Sequence, residues 1–566
     1  MTESYPPRTI LLADIGTTWT HVGLVERVAG AFRLAARVDS ATQSADRVDL
    51  ASSLTAALER MQEIARRPLL SDDGSPVLPR ERERGSDLLV VTTSAGGPLR
   101  CGIIGLTPEL SLEPGRQACA LSGTQIVSEI GLAEERPRRH RALAGLRAAL
   151  PDVVVMLGGV DGGPSRPFSA AASVLSTLYA DVPADQRPVV VFAGNLEARR
   201  PVAEALGRGF DYRVVENIHP RLGETSPQEL QRELERIHVE RRLPQLPGYA
   251  EISGWSALPI TATGTGTAVI LEFLSRQGRY GGSVLGVDVG AASTLVAVAG
   301  EGPYVIQAAG SGTSRGLEQL LEDQGMASIQ RWLPSPHLEA TAAAILRNRA
   351  LRPQTLPEDA RESTIILAAA REALRRPLQT LDTLTNGATS EAHLIAARGG
   401  SITRSGRDSQ AMLALIDAIQ PSGLTRVVSD WASVWAPLGI LARREPLAAL
   451  QVLQRDAVRE LGTVLSIEGH GPSGQPAVRL RLECTGEIIE ANVPWGSLAR
   501  IPVEAQAELR AWPGNEPAAI GAAPIRAALA PGTVGLVVDA RGRPLQLPES
   551  DAARQGELEK WLSALG

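Results

Sequence analysis

A segment that occurs twice constrains this chain of 566 residues more than any other feature. ILLADIGTTWTHVGLV opens at Ile10, and VLGVDVGAASTLVAVA opens at Val284. Each copy consists of an apolar run, a turn that begins with Asp-x-Gly, and a second apolar run, which is the pattern of a β-hairpin. The same spacing separates Asp14 from Asp288 and the glycines that follow them. The repeat predicts two related α/β lobes, each of which begins with such a hairpin.

The residue types in the two turns are suited to phosphate groups. Glycine lets the backbone approach a ligand closely, and turn N–H groups can donate hydrogen bonds to phosphate oxygens. Asp14 and Asp288 are then placed to hold a metal ion, through water, against the same phosphates. We therefore predict a bilobal nucleotide-binding cleft with these two aspartates as metal-binding residues. The predicted binding residues of the turns are Gly16, Thr17, Thr18, Gly290 and Ser293.

Three further glycine turns follow apolar strands. They end at Gly96–Gly97, at Gly158–Gly159 and at Gly399–Gly400. The last two lie in the same order relative to the repeated hairpins, which favours duplication of a whole lobe. We predict that the six glycines line the cleft. For Gly96–Gly97, packing of the lobe against a loop is the open alternative.

Composition excludes several kinds of chemistry. Lys560 is the single lysine, so neither a Walker phosphate loop nor a Schiff-base lysine exists in this sequence. The net charge of -6 gives no general attraction to nucleic acid. No uninterrupted apolar run is long enough to cross a membrane. The three cysteines are scattered and form no metal spacing, which favours a reducing, cytoplasmic location.

The alternation of apolar strands with helical stretches predicts an α/β architecture with a mostly parallel or mixed sheet. We expect a first lobe with insertions over residues 1–250 and a second lobe over residues 251–461. Past residue 462 the pattern changes to strands that alternate as in an exposed antiparallel sheet. A small β-rich C-terminal domain is therefore predicted over residues 462–566.

Several strings in a fixed order resemble the MutL/GlmL family of glutamate mutase accessory proteins. They are DIGTTWT (14–20), TTSAGGPLRCGIIGL (92–106), MLGGVDGG (156–163), VVFAGN (190–195), VENIHP (215–220), QPSGLTRVV (420–428) and PLGILA (437–442). That family is similar to acetate and sugar kinases, heat-shock chaperones and actin. The resemblance implies two duplicated actin-like, ribonuclease H-like lobes that clamp ATP and Mg²⁺. It also implies that Asp14 and Asp288 are catalytic and polarise a hydrolytic water, and that Gly399–Gly400 and Ser401 contact the nucleoside.

The resemblance also implies a role: an ATPase that keeps an adenosylcobalamin-dependent carbon-skeleton mutase active, with the mutase subunits as its partners. The second turn departs from the family pattern, because Ala291 replaces a glycine and Leu295 replaces an aspartate. This departure bears on hydrolysis more than on binding. Two alternatives stay open, a small-molecule kinase of the same fold and a non-hydrolysing scaffold.

Overall fold

The computed structural model describes residues 7–43, 47–107, 111–122, 124–221, 223–300, 305–385, 387, 389–404, 406–514 and 525–566. These residues form two compact units. The first comprises the described residues within Met1–Ala95, Glu251–Tyr304 and Ala309–Gly566, and the second those within Gly96–Ala250 and Val305–Ala308. Of the helices described, none is both long and apolar enough to cross a membrane.

The first sheet contains five strands. They are β1 (Thr9–Ile15), β2 (Trp19–Val28), β3 (Ala31–Ala41), β4 (Leu88–Thr93) and, later in the chain, β10 (Thr261–Ala262). The order is β10-β4-β1-β2-β3. β2 is antiparallel to both β1 and β3, and β4 and β10 run parallel to β1. This order and these directions are those of a ribonuclease H-like fold. The apolar run of β1 is buried along its whole length, as expected for a central strand.

The second sheet repeats this arrangement and extends it. Its strands are β11 (Val284–Val289), β12 (Thr294–Ala299), β13 (Val305–Ala309), β14 (Leu394–Arg398), β15 (Gly423–Ser429), β16 (Arg459–Ser466), β19 (Leu498–Ile501) and β22 (Gly535–Asp539). The order is β13-β12-β11-β14-β15-β16-β22-β19. β11 and β12 are antiparallel, and β14 and β15 are parallel to β11. The first five strands therefore have the same order as the first sheet, which confirms the predicted duplication of an α/β fold.

The first unit also contains α-helices. They are α1 (Leu50–Ala65), α8 (Thr263–Arg276), α9 (Leu317–Gln324), α10 (Met326–Gln330), α11 (Pro336–Leu351), α12 (Ala360–Thr385), α13 (Gly400–Thr403), α14 (Asp408–Ile419), α15 (Trp435–Leu441), α16 (Pro446–Val452) and α17 (Asp551–Leu565). α1 begins where the Asp49 carboxylate accepts a hydrogen bond from the Ser52 N–H at 2.9 Å. α7 (Tyr249–Trp255) leads from the second unit back into the first.

The second unit is a parallel α/β fold. Its strands are β5 (Arg100–Gly105), β6 (Gln125–Gly131), β7 (Val153–Gly158), β8 (Val189–Gly194) and β9 (Tyr212–Val214), in the order β6-β5-β7-β8-β9. All neighbouring pairs are parallel. The connecting helices are α2 (Glu113–Leu121), α3 (Arg136–Ala149), α4 (Arg166–Leu178), α5 (Arg199–Leu206) and α6 (Gln228–Ile237). Separate apolar cores lie on the two faces of the sheet, as in a doubly wound fold.

A separate antiparallel sheet lies near the C-terminus. Its strands are β17 (Pro476–Cys484), β18 (Glu487–Pro494), β20 (Ala507–Pro513) and β21 (Ile525–Leu529), in the order β18-β17-β20-β21. One apolar core joins these strands to the second sheet, because Leu480 and Leu509 are clustered with Leu465 of β16 and Val538 of β22. The β-rich character expected from the sequence is therefore present, in a sheet that shares its core with the second lobe.

The boundaries between the structural units differ from the domain boundaries expected from the sequence. Residues 96–250, expected as insertions within a first lobe, form a compact unit of their own. β10, at residues 261 and 262, completes the first sheet and not the second. β16, β19 and β22 lie in the second sheet although the sequence assigns most of them to a C-terminal domain. Pairing between distant strands causes these differences, and local patterns do not reveal such pairing.

Candidate functional site

The two repeated turns have the same backbone geometry. The Gly16 N–H donates to the Trp19 carbonyl at 2.9 Å, and the Gly290 N–H donates to the Ser293 carbonyl at 3.0 Å. A Cβ atom on Gly16 would lie 2.9 Å from the Trp19 oxygen, and one on Gly290 would lie 2.8 Å from the Ser293 oxygen. Both turns therefore require glycine because the chain folds back tightly on itself.

Asp14 lies at the end of β1 and is 4% exposed. Its Oδ1 accepts hydrogen bonds from the hydroxyls of Thr92 at 2.9 Å and Thr263 at 2.6 Å. Its Oδ2 accepts from a terminal nitrogen of Arg398 at 2.7 Å. Both oxygens of the carboxylate are thus occupied by donors from the protein itself.

Arg398 is the last residue of β14, and its side chain is 6% exposed. It is the register partner of Asp288 on the adjacent parallel strand β11. Its Nε lies 3.4 Å from Asp288 Oδ2, and its Nη1 donates to the Thr267 hydroxyl at 2.7 Å. One guanidinium therefore contacts the aspartate of each repeated hairpin, so the two hairpins converge.

A third carboxylate faces the same guanidinium. Asp430, fully buried directly after β15, has an Oδ2 atom 3.7 Å from Arg398 Nε. Its oxygens also accept backbone N–H bonds from Val434 and Trp435, both at 3.1 Å. Burial raises the pKa of Asp430 to about 6 against the opposing charge of Arg398. Burial also raises the pKa of Asp288, again against the effect of Arg398.

The Gly399–Gly400 turn lies against the second hairpin. Gly399 has φ +91°, and a Cβ there would lie 2.7 Å from Asp288 Oδ1. The Ser401 hydroxyl, predicted to contact a nucleoside, lies 2.5 Å from the Thr313 hydroxyl. Thr313 in turn donates its N–H to the Gly290 carbonyl at 3.2 Å. Gly399, Ser401 and the second turn therefore form one connected group.

The first turn carries an unpaired hydroxyl. Thr18 is 2% exposed, and its Oγ1 has no hydrogen-bond partner among the described residues. Buried hydroxyls are usually hydrogen-bonded. At a predicted phosphate turn, a ligand oxygen would supply the partner that this hydroxyl lacks. Thr17 and Ser293, by contrast, are partly exposed.

A second ionic cluster links the two lobes beside the first turn. Arg404, just after α13, pairs with Asp39 of β3 at 2.7 Å and lies 4.9 Å from the ring centre of Trp19. His21 Nδ1 lies 2.6 Å from Asp39 Oδ1. Burial opposes ionisation of Asp39, but the hydrogen bond with His21 and the charges of His21, Arg404 and Arg37 outweigh it and lower the pKa to about 2. The segment after Gly400 is therefore tied to the first lobe.

Four of the predicted glycines belong to the second unit. The carbonyl of Gly96 accepts from Arg242 Nε at 2.8 Å, and the carbonyl of Gly97 lies 3.0 Å from His238 Nε2. Gly158 and Gly159 have φ +118° and +74°. The amide of Asn217 donates to the Gly159 carbonyl at 3.0 Å. These glycines shape turns within their own unit, and their assignment to a nucleotide cleft stays a prediction.

The residues as placed do not fit a divalent cation between the two aspartates. Mg²⁺ requires near-octahedral oxygen ligands at about 2.0–2.1 Å. Both Asp14 oxygens already accept protein donors, and a guanidinium contacts both carboxylates. Across the described residues, no cluster of three or more His, Cys, Asp or Glu side chains is suited to a metal. Sequence reasoning missed Arg398, although an arginine that ends the apolar run LIAAR is an unusual residue for a buried strand.

Comparison with known protein families gives a match over most of the chain. The chain matches the family described as MutL protein over residues 10–457. Protein MutL of Clostridium tetanomorphum is 24% identical over 209 residues, which are 36% of this chain and 43% of that relative. The chain thus aligns with less than half the length of this curated relative.

Among solved structures, the nucleotide-free structure of acetone carboxylase aligns with a TM-score of 0.35 and 12% identity, over 86% of this chain and 81% of that one. The glycerol kinase of Plasmodium falciparum with ADP aligns with a TM-score of 0.30 and 10% identity, over 80% and 93% of the two chains. These likenesses are remote, so the fold assignment rests on the strand orders described above.

Proposed function

The chain belongs to the MutL protein family, and from this premise we propose that it is an ATP-binding accessory protein for an adenosylcobalamin-dependent carbon-skeleton mutase such as glutamate mutase. The duplicated ribonuclease H-like folds provide its nucleotide cleft. One observation carries the nucleotide part of the proposal. The aspartates of the two repeated hairpins meet at a single guanidinium, which supports a cleft shared by both turns.

We assign the phosphate contacts to the two hairpin turns. Their backbone N–H groups and the hydroxyls of Thr17, Thr18 and Ser293 are suitable donors. The orphaned Thr18 hydroxyl supports this assignment, because a phosphate oxygen would supply the partner that it lacks. Gly399 and Gly400 are assigned to the nucleoside side of the cleft. No hydrolytic step is assigned to Asp14 or Asp288, because their present partners leave no position for Mg²⁺ between them.

Replacement of Thr18 by valine tests the assignment. Valine keeps the shape of threonine and removes only the unpaired hydroxyl, so folding should be unaffected. We expect the Kd for ATP, measured by isothermal titration calorimetry, to rise about tenfold. The matched control is Thr341→Val on α11, whose hydroxyl bonds to the His337 carbonyl of its own helix. If the wild-type protein binds no ATP at millimolar concentrations, the nucleotide part of the proposal is wrong.

The accessory role is tested with a purified mutase. We expect that the loss of glutamate mutase activity during prolonged turnover slows when this protein and ATP are both present. Bovine serum albumin with ATP is the control for non-specific protection. If a mutase encoded beside this protein loses activity at the same rate with and without the protein, the accessory role is contradicted.

A specific observation favours a second candidate, a scaffold that binds nucleotide without hydrolysing it. The position between Asp14 and Asp288 is taken by Arg398, and Ala291 and Leu295 depart from the family pattern at the second turn. The discriminating measurement is ADP release from Mg-ATP with the mutase present. Turnover that Asp14→Ala abolishes would reject the scaffold, and release that depends on a small-molecule acceptor would indicate a kinase.

A further inference from the structure

We propose that the guanidinium of Arg398 takes the place of a divalent cation between Asp14 and Asp288, so that this site excludes Mg²⁺ and the two lobes are joined without a metal. The inference concerns residues of this chain alone and does not depend on whether ATP binds. It also goes beyond the sequence prediction, in which the two aspartates form a metal site and Arg398 has no role.

The geometry of the guanidinium supports this inference. Its three nitrogens face different groups. Nη1 donates a hydrogen bond to Thr267 and Nη2 to Asp14, both at 2.7 Å, and Nε lies in an ion pair 3.4 Å from Asp288 Oδ2 without a hydrogen bond to any described residue. Asp14 belongs to the first sheet and Asp288 to the second, so one side chain spans both lobes. A metal bound by both aspartates would have to use oxygens that already face this positive charge.

The backbone fixes the guanidinium in that position. Arg398 and Asp288 are register partners on adjacent parallel strands, so their side chains leave the sheet side by side on the same face. The Arg398 side chain is only 6% exposed, and the conformation of Gly399 directly after it, φ +91°, is fixed by a turn packed against Asp288. A change of side-chain rotamer alone therefore cannot move the guanidinium out of the site.

The charge balance agrees with a permanent internal cation. Asp14, Asp288 and Asp430 surround the guanidinium, and their charges raise the pKa of Arg398 above its usual range although burial opposes this. An arginine remains charged throughout the physiological range, whereas a bound metal exchanges with solvent. Three carboxylates around one point, two of them buried, would be costly without a cation, and this arginine supplies that cation.

The wild-type protein provides the first test. We expect no binding of Mn²⁺ alone, measured by electron paramagnetic resonance at metal concentrations up to about 1 mM. We also expect no change of Tm on addition of Mg²⁺. Mn²⁺ binding by the wild-type protein, alone or with ATP, that is lost in Asp14→Asn would overturn the inference. This measurement needs no folded variant of Arg398.

Removal of the arginine provides the second test. We expect Arg398→Ser to gain Mn²⁺ affinity at least tenfold and to regain part of its lost Tm when Mg²⁺ is added, and the double variant Arg398→Ser/Asp14→Asn to lose both effects. The matched control is Arg371→Ser, which removes another buried arginine, paired with Asp417 at 2.8 Å. A folded Arg398→Ser that gains no metal affinity would overturn the inference. Failure of ATP binding, by contrast, would reject the proposed function and leave this inference intact.

Discussion

The two repeated hairpins have nearly identical turns but their aspartates have different surroundings. The side chain of Asp14 is 5% exposed and accepts three hydrogen bonds, from Thr92, Thr263 and Arg398. The side chain of Asp288 is 20% exposed and contacts Arg398 at 3.4 Å. Duplication therefore preserved the backbone, while the neighbouring elements gave each carboxylate its own environment. Asp14 is a structural anchor, and Asp288 is the more accessible of the pair.

Substitution of the two aspartates should show the largest difference. Asp14→Asn removes the charge from a buried ion pair and places an amide among three donors, so we expect it to lower the free energy of unfolding by about 3 kcal/mol. Asp288→Asn should lower it by less than about 1 kcal/mol, since this carboxylate is partly exposed and contacts Arg398 only at 3.4 Å. Urea denaturation measures both. Equal losses would show that the two carboxylates are equivalent after all.

The Gly-Gly turn beside the second hairpin should show the next largest effect. A Cβ on Gly399 would lie 2.4 Å from the Val289 carbonyl oxygen, and its φ is +91°. We therefore expect Gly399→Ala to lower the free energy of unfolding by about 2 kcal/mol. Gly400→Ala is the matched control, because its Cβ would meet only Arg404 Cδ at 4.0 Å. If both substitutions are tolerated alike, the turn is not held against Asp288.

The third carboxylate predicts a pH dependence. The pKa of Asp430 is raised to about 6 in the folded protein. The folded state therefore binds this proton more tightly than the unfolded state, and the contribution of Asp430 to stability grows as the pH falls from about 7 to about 4. Relative to Asp430→Asn, we expect the wild-type protein to gain at most about 1.4 kcal/mol per pH unit over this window.

Denaturant unfolding of both proteins at several pH values measures this difference. Asp39, whose pKa is lowered to about 2, has the opposite effect: its contribution is complete above about pH 4 and is lost as the pH falls towards 2. The window between 4 and 7 therefore isolates Asp430 from it. A constant difference between wild type and Asp430→Asn across that window would contradict the raised pKa.

Substitution of the turn glycines should have the smallest effects on stability. These effects should be equal in the two hairpins. An added Cβ meets a carbonyl oxygen at 2.9 Å for Gly16 and 2.8 Å for Gly290. We expect Gly16→Ala and Gly290→Ala each to lower the free energy of unfolding by about 1 kcal/mol. Gly278→Ala, where a Cβ meets nothing within 4 Å, is the control. Unequal losses would show that the backbones of the two turns have diverged as their surroundings have.

Several features of the fold could be predicted from local sequence. The buried run TILLADI and the Asp-x-Gly turn after it gave the first hairpin, and the second copy gave the duplicate. The antiparallel pair β17 and β18 near the C-terminus followed from alternating residues, whereas β22, expected in the same β-rich domain, pairs within the second sheet. The compact unit formed by residues 96–250 was expected only as insertions, because its independence depends on which strands pair and not on their individual patterns.

The candidate site was predicted in part. The convergence of Asp14 and Asp288 followed from the repeat, but their immediate partners did not. Thr92 comes from β4, Thr263 from the start of α8 and Arg398 from β14, and these are separated from Asp14 by 78, 249 and 384 residues. No pattern within one segment indicates which distant donors will reach a carboxylate.

The sequence by itself determined the two hairpins, their glycine turns and the family to which the chain belongs, since these depend on the local order of apolar, acidic and small residues. Only the tertiary structure placed the positive charge of Arg398 between the hairpins. The parallel pairing of β11 with β14 places Arg398 beside Asp288, and the packing of the two lobes brings Asp14 to the same guanidinium. Electrostatic partners are set by distance in space, and folding determines that distance.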